Sequence, residues 1–243
     1  MDRDARPPVA TFYSASPLAP GDTIELSDSA AHHARVKRLE LGDAIQLTDG
    51  HGSVAIGDLS SLDKRRATVA IASTRRVPAP PAIHLRVPIG DRDRMLLLAE
   101  KAAELGVATW QAVRFRRSLS VSPRGEGDAF GAKIEARMIA ALEQSGGAWL
   151  PGRLADCEVE EIDVSDEVTR ILLDRDGEAL LRVANARPSA LLFGPEGGLE
   201  PTERELLQTH GWRSARLAEN TLRFETAGIA AIAVIRAAQL ANL

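Results

Sequence analysis

The chain reads as two folds in series: a small β-barrel or β-sandwich, then an α/β domain built on a mostly parallel sheet. Three observations predict this. Short β-type segments separated by turn residues run to about Thr74. Three prolines in four positions, Pro78, Pro80 and Pro81, then deny the chain both helix and central strand. After Ala82 the rhythm changes to strand, helix, strand, helix, the pattern of a parallel sheet wrapped by helices. The expected division is 1–74 for the first domain, 75–82 for a linker and 83–243 for the second.

In the first domain the expected strands are Thr23–Leu26, Ala44–Thr48, Ser53–Leu59 and Ala67–Ala72. Gly42-Asp43 and Asp49-Gly50 supply turn chemistry between them. One short helix is expected over Ser29–Leu39, where alanines precede a mixed basic and apolar stretch.

In the second domain Ile83–Val87 and Thr109–Phe115 read as strands on either side of a helix from about Asp93 to Leu105. Asp93 is the expected cap, Met95, Leu98, Ala102 and Leu105 keep helical spacing, and Gly106 ends the helix. A second helix is expected over Gly131–Gln144, stopping at Gly146-Gly147. Arg170–Asp174, Ala190–Phe193 and Ser214–Leu217 are further short strands. The last helix, Thr226 to about Ala241, is apolar on nearly every face, which predicts burial under the sheet or against a second subunit.

Two strand-to-helix crossings carry ligand-type loops. Leu191–Leu199 reads LLFGPEGGL, an apolar strand emptying into glycines just before the helix-starting Glu200-Pro201-Thr202-Glu203. The spacing is neither the dinucleotide G-x-G-x-x-G nor a P-loop, so the ligand is neither NAD nor a nucleoside triphosphate. The second crossing, Leu217–Ala227, opens the final helix. Loops at neighbouring parallel strand ends meet in one crevice.

Composition narrows the class. Hydrophobic content of 44% and charged content of 26% are those of an ordinary soluble protein, and the N-terminus is no secretory signal. One cysteine, Cys157, excludes a disulfide framework and a thiolate metal cluster, and the five histidines lack ligand spacing. A cytoplasmic protein without metal or membrane segment is expected. The net charge of −4 opposes indiscriminate nucleic-acid binding, yet basic residues cluster at Arg35–Arg38, Lys64–Arg66, Arg75-Arg76 and Arg114–Arg117. Each group is a solvated face or part of a phosphate-binding surface. Trp110, Trp149 and Trp212 read as packing residues.

Four segments in order carry a resemblance: Lys101–Val107, Glu143–Gly146, Gly194–Gly198 and Leu217…Leu222–Ala227. They resemble the bacterial methyltransferases that modify N3 of a uridine in 16S ribosomal RNA, members of the SPOUT superfamily. His32–Leu39 followed by Gly42-Asp43 is similar to that family's PUA-like RNA-binding domain. The resemblance covers essentially the whole chain. It implies a PUA-like β-barrel, a SPOUT α/β domain with a deep trefoil knot, a homodimer, S-adenosyl-L-methionine as cofactor, and 16S rRNA within the small subunit as partner. Three positions depart from the family pattern. Gly147 stands where a basic residue is common, Ala218 where glycine is usual, and Thr221-Leu222-Arg223-Phe224-Glu225-Thr226 replaces Ile-Leu-Arg-Thr-Glu-Thr.

On that resemblance Leu173, Leu192, Phe193, Gly194, Pro195, Glu196, Gly197 and Gly198, with Leu217, Ala218, Thr221, Leu222 and Arg223, are expected to form the cofactor pocket. Arg223 and Glu225 are the catalytic candidates: uracil N3 carries a proton, so a guanidinium must stabilise the anion or a carboxylate accept the proton. Arg223 can equally tie the loop to a carboxylate, and Glu225 can equally serve the helix N-terminus. His33, Arg35, Lys37, Arg38, Arg116 and Arg117 are the RNA-binding candidates. Methylation of another RNA (a transfer RNA base or a ribose 2′-hydroxyl) and a non-catalytic RNA-binding or ribosome-assembly role are the competing readings.

Overall fold

The structure is a computed structural model and describes residues 7–120 and 125–241; Met1–Arg6, most of the stretch read above for a leader, lie outside the described residues. Contacts divide the chain into two units, one up to Ala79 together with Ile139–Leu150, the other Pro80–Met138 with Pro151–Leu243.

The first unit holds β1 (Ala10–Tyr13), β2 (Thr23–Glu25), α1 (Asp28–Val36), β3 (Ala44–Thr48), β4 (Ser53–Leu62) and β5 (Ala67–Arg76). They form one five-stranded mixed sheet in the order β1-β3-β4-β5-β2, with β1 parallel to β3 and the other pairs antiparallel. Ala10–Tyr13 was not anticipated: a four-residue strand whose partner lies some 35 positions away has no local signal. The linker reading also fails at Arg75 and Arg76, which pair with Val54 and Ser53 as the end of β5. Ser27 caps α1 by accepting the amide of Ala30, and Ala30, Ala31 and Ala34 turn into a core with Phe12, Ile45, Leu47 and Val69. Trp149 is half-buried, its indole donating to the carbonyl of Val77 at 3.1 Å.

The second unit contains β6 (Ile83–Pro88), α2 (Arg92–Glu104), β7 (Thr109–Arg114), the first part of α3 (Asp128–Ser145), β8 (Gly152–Arg153), β9 (Cys157–Glu158), β10 (Thr169–Ala179), α4 (Leu180–Val183), β11 (Ser189–Phe193), α5 (Pro201–Thr209), β12 (Arg213–Arg216) and α6 (Phe224–Leu240). Its seven-stranded sheet runs β12-β10-β11-β6-β7-β8, with β9 also on β7, and every pairing is parallel. Asp91, rather than Asp93, caps α2: its carboxylate accepts the amide of Arg94 at 3.1 Å. β10 continues beyond Asp174 through an irregularity, where a side chain on Gly177 would fall 2.4 Å from the backbone of Ala215. α6 starts at Phe224 and buries one side only: Ala231, Ile232 and Ile235 are covered, while Ala233, Ala237 and Leu240 are exposed.

Candidate functional site

Three adjacent parallel strands end side by side. Leu173 of β10 is in register with Phe193 of β11 on one flank and with Ala215 of β12 on the other. The chain leaves β11 through 194–200 and β12 through 217–223, so both loops open at the carboxyl ends of neighbouring strands, where α/β sheets hold ligands. Between them lies a cleft of about 430 Å³ whose wall contains both Gly194 and Leu222. That volume falls within the roughly 300–1,000 Å³ typical of small-molecule sites.

The glycine loop is held from outside. Gly198 adopts φ +74°, a left-handed conformation that suits glycine. Arg117 donates from Nε to Glu200 at 2.6 Å and from Nη1 to the carbonyl of Gly197 at 2.9 Å. Glu200 and Glu203 form a reciprocal capping box at the start of α5. Glu203 is 2% exposed and also accepts the amide of Arg116 at 2.8 Å. The segment following β7 therefore grips the loop following β11.

A second grip comes from α2. Arg94 donates to Glu196 of the glycine loop, and its Nε lies 4.0 Å from Oε1 of Glu225 at the start of α6. Glu225 is 7% exposed, and its Oε2 has no hydrogen-bond partner among the described residues. On the opposite wall Asp174 pairs with Arg204 of α5.

Of the expected cofactor residues, the cleft brings together Leu173, Phe193, Gly194, Pro195, Glu196 and Gly198 on one side. Leu217, Ala218, Thr221, Leu222 and Arg223 meet them from the other. Two expectations are corrected. Leu192 is fully buried and faces the core with Val113, Phe115 and Leu207, because alternation along β11 sends its side chain away from the cleft. Gly197 lines a separate small hollow with Arg117 and Ser118. Glu225 likewise stands outside the cleft wall. Sequence reading missed Asp174, Arg204, Asn220 and Phe224, which also line the cleft. Arg223 is exposed at the cleft and makes no ion pair among the described residues.

The basic candidates separate by environment. The Arg117 guanidinium pairs with Glu200 at the acidic start of α5, whereas Arg116 gives only its backbone amide to Glu203 and keeps its side chain exposed. In the first unit Arg35, Lys37 and Arg38 are exposed. Arg38 has φ +57° just past α1, where an L-residue is strained and glycine would be cheaper. His33 sits edge-on to Phe12 at 6.1 Å; partial burial, then the charges of Lys37 and His32, lower it below the ordinary histidine value. Burial pushes the Cys157 thiol up to about 11, which leaves it protonated and inert at neutral pH.

A strand-end cleft between two loops defines a ligand-binding α/β domain, and sequence comparison places it. Residues 77–236 match the family described as RNA methyltransferase domain, and residues 26–72 match the RNA methyltransferase PUA domain. The chain belongs to this RNA methyltransferase family. It is 26% identical over 241 residues to ribosomal RNA small subunit methyltransferase E of Rickettsia conorii, covering 93% of this chain and 94% of that one. The protein of the same name from Aquifex aeolicus is 25% identical, covering 88% and 94%. Among solved structures, ribosomal RNA small subunit methyltransferase E from Neisseria gonorrhoeae bound to S-adenosyl methionine superposes with a TM-score of 0.84 at 28% identity, covering 94% of this chain and 97% of that one.

Proposed function

We propose that the protein uses S-adenosyl-L-methionine to methylate small-subunit (16S) ribosomal RNA at N3 of a uridine. The observation that carries this reading is the cleft shared by the 194–200 and 217–223 loops, in a chain of the RNA methyltransferase family. The residues suit the cofactor: Leu173, Phe193, Leu217 and Leu222 offer apolar contact for an adenine, and the glycine loop leaves its backbone groups accessible. The cofactor, when bound, supplies an electrophilic methyl group on a sulfonium.

The protein's own part is orientation and charge. Holding donor and acceptor in line contributes several kcal/mol, and the 194–200 loop is braced from outside by Arg94 and Arg117 to do so. Arg223, at the cleft and without an ion pair among the described residues, is placed to stabilise negative charge on uracil carbonyl oxygens. Arg35, Lys37, Arg38 and His33 of the PUA-like unit are assigned to RNA contact. The family reading extends to a trefoil knot about the cleft, to a cytoplasmic location and to a homodimer. The uncovered apolar side of α6, with Leu240 60% exposed, supports the last.

Incubating the protein with methyl-labelled cofactor and either small ribosomal subunits or transfer RNA tests the reading. Label in 16S rRNA, recovered as N3-methyluridine, is the expected result. Label in transfer RNA alone, or in ribose, overturns the substrate. Failure to bind S-adenosylhomocysteine at millimolar concentration would leave a non-catalytic RNA-binding protein.

A further inference from the structure

The cleft wall carries the opposite charge to the chain as a whole. The protein has a net charge of −4, yet four arginines, Arg175, Arg204, Arg216 and Arg223, line the cleft against two carboxylates, Asp174 and Glu196. Both carboxylates are already matched: Asp174 pairs with Arg204, and Glu196 with Arg94 of α2. That leaves Arg175, Arg216 and Arg223, all exposed. Arg223 is assigned above to the base. Arg175 makes no ion pair among the described residues, and Arg216 meets only Glu219, at 3.5 Å, whose side chain is 86% exposed. An ion pair so open to water is weak and readily exchanged. A local device puts Arg175 at the cleft. Leu173 and Glu178 of β10 both lie opposite Ala215 of β12, so residues 174–177 stand out of the ladder as a bulge. Bulges re-aim side chains and are common beside functional sites. This one is braced at both ends. The Asp174 side chain, 7% exposed, is tied to α5 through Arg204 and accepts the Asp176 amide at 3.3 Å. Gly177 lies so close to β12 that a Cβ would fall 2.4 Å from the Ala215 nitrogen. The bulge thus buries its first acid and leaves its arginine in solvent, while Arg216 comes from the end of the neighbouring strand, opposite Ala179.

We propose that Arg175 and Arg216 form a phosphate clamp at the mouth of the cleft, gripping the RNA backbone beside the nucleotide to be methylated. The clamp rests on the reading above, in which a target base enters this cleft together with the phosphates on either side of it. A small molecule buried in a cleft has little use for guanidiniums in solvent, whereas a polymer lying across the mouth meets them. Each guanidinium can give a phosphate two parallel hydrogen bonds and stays charged at any working pH. Such contacts set the register of the RNA on the protein and carry no chemistry themselves. In a chain of negative net charge they also supply the local attraction that the whole molecule lacks.

The test compares Arg175→Gln, Arg216→Gln and the double variant with Arg182→Gln, an exposed arginine of α4 outside the cleft wall. Affinity for the RNA that the wild type methylates, small-subunit or transfer RNA, is measured from about 50 to 200 mM salt, beside methyl-transfer kinetics and S-adenosylhomocysteine binding by calorimetry. Each clamp variant should lower the slope of log affinity against log salt by about 0.7–1, and the double variant by about twice that. The gap to wild type then narrows about threefold per variant across the range. KM for RNA rises, kcat at saturating RNA stays within about twofold, and S-adenosylhomocysteine affinity is unchanged. Arg175→Lys keeps the charge without the planar fork, so it should restore the slope and only part of the affinity. A slope no lower than that of Arg182→Gln would overturn the clamp. Weakened S-adenosylhomocysteine binding with RNA affinity intact would overturn it too, giving these arginines to the carboxylate of the cofactor. Which RNA is methylated is decided by the wild type alone, so a wrong substrate and a wrong clamp give different results. A wild type that methylates neither RNA would overturn the functional reading and this inference together.

Discussion

Replacing Glu203 tests the claim that one buried carboxylate holds the glycine loop in place. Its Oε1 accepts the amide of Arg116 and its Oε2 the amide of Glu200, each at 2.8 Å, with the side chain 2% exposed. Hydrogen bonds to an ionised group contribute about 1.5–3 kcal/mol each. Arg116 and Glu200 are not buried, so water recovers part of both donors, and the lower figure applies. Glu203→Ala therefore loses about 3 kcal/mol. In domains of 150–250 residues each kcal/mol moves the midpoint by about 2–4 °C, which predicts melting about 6–12 °C lower. Glu203→Gln is the sharper variant. One amide oxygen replaces two carboxylate oxygens, so one of the two backbone donors meets an NH₂ group instead of an acceptor. The glutamine variant should fall by at least half as much as alanine. Circular dichroism melts of the three proteins, with and without S-adenosylhomocysteine, measure both effects, and the rise induced by ligand should shrink with the loosened loop. A glutamine variant that melts with the wild type would refute the reasoning.

Arg223→Ala should reduce methyl transfer about 100-fold or more, as removal of a preorganised charge stabiliser does, while S-adenosylhomocysteine binding by calorimetry changes only a few-fold. Unaltered turnover would remove Arg223 from the chemistry. Arg38→Gly relieves a left-handed arginine, so the melting midpoint should hold or rise by up to about 1 kcal/mol equivalent. RNA affinity should fall, with the salt slope smaller by about one unit; an unchanged slope would clear Arg38 of phosphate contact. Glu143 is raised above the usual carboxylate value by burial, against weaker opposing effects from the Tyr13 amide and Lys37. A raised acid contributes stability that is present at pH below its unfolded value of 4.5 and is lost as pH climbs through the folded one. Glu143→Gln keeps an acceptor for the Tyr13 amide, bonded at 2.9 Å, and removes that loss. The variant should therefore melt higher than wild type at pH 7, with the gap closing below about pH 4; a constant gap across that range would contradict the assignment.

Local chemistry made most elements readable. The strands Ala44–Thr48 and Ala190–Phe193 carry dense β-type residues between turn signals, and Pro201 with Glu203 announces α5 within four positions. Ambiguity appeared where two residues satisfied one rule. Asp91 and Asp93 both suit a helix cap, and only the extended backbone at Asp91, ψ 132°, decides between them. Ala10–Tyr13 and the continuation of β10 past Asp174 escaped because each depends on a partner strand remote in sequence. The alternation along β11 was itself enough to exclude Leu192 from the cleft, a signal present in the chain and not used. Arg94 had no such signal: its partner Glu196 lies 102 positions away.

Sequence alone determined which segments become strands and helices and which two loops are bare enough to meet a ligand, since these follow from backbone preference and the period of apolar residues. Tertiary structure alone decided which carboxylates are gripped, which buried oxygens have no hydrogen-bond partner among the described residues, and that residues 139–150 pack with the N-terminal unit. Those outcomes depend on distances between groups far apart along the chain, and no local propensity encodes a distance.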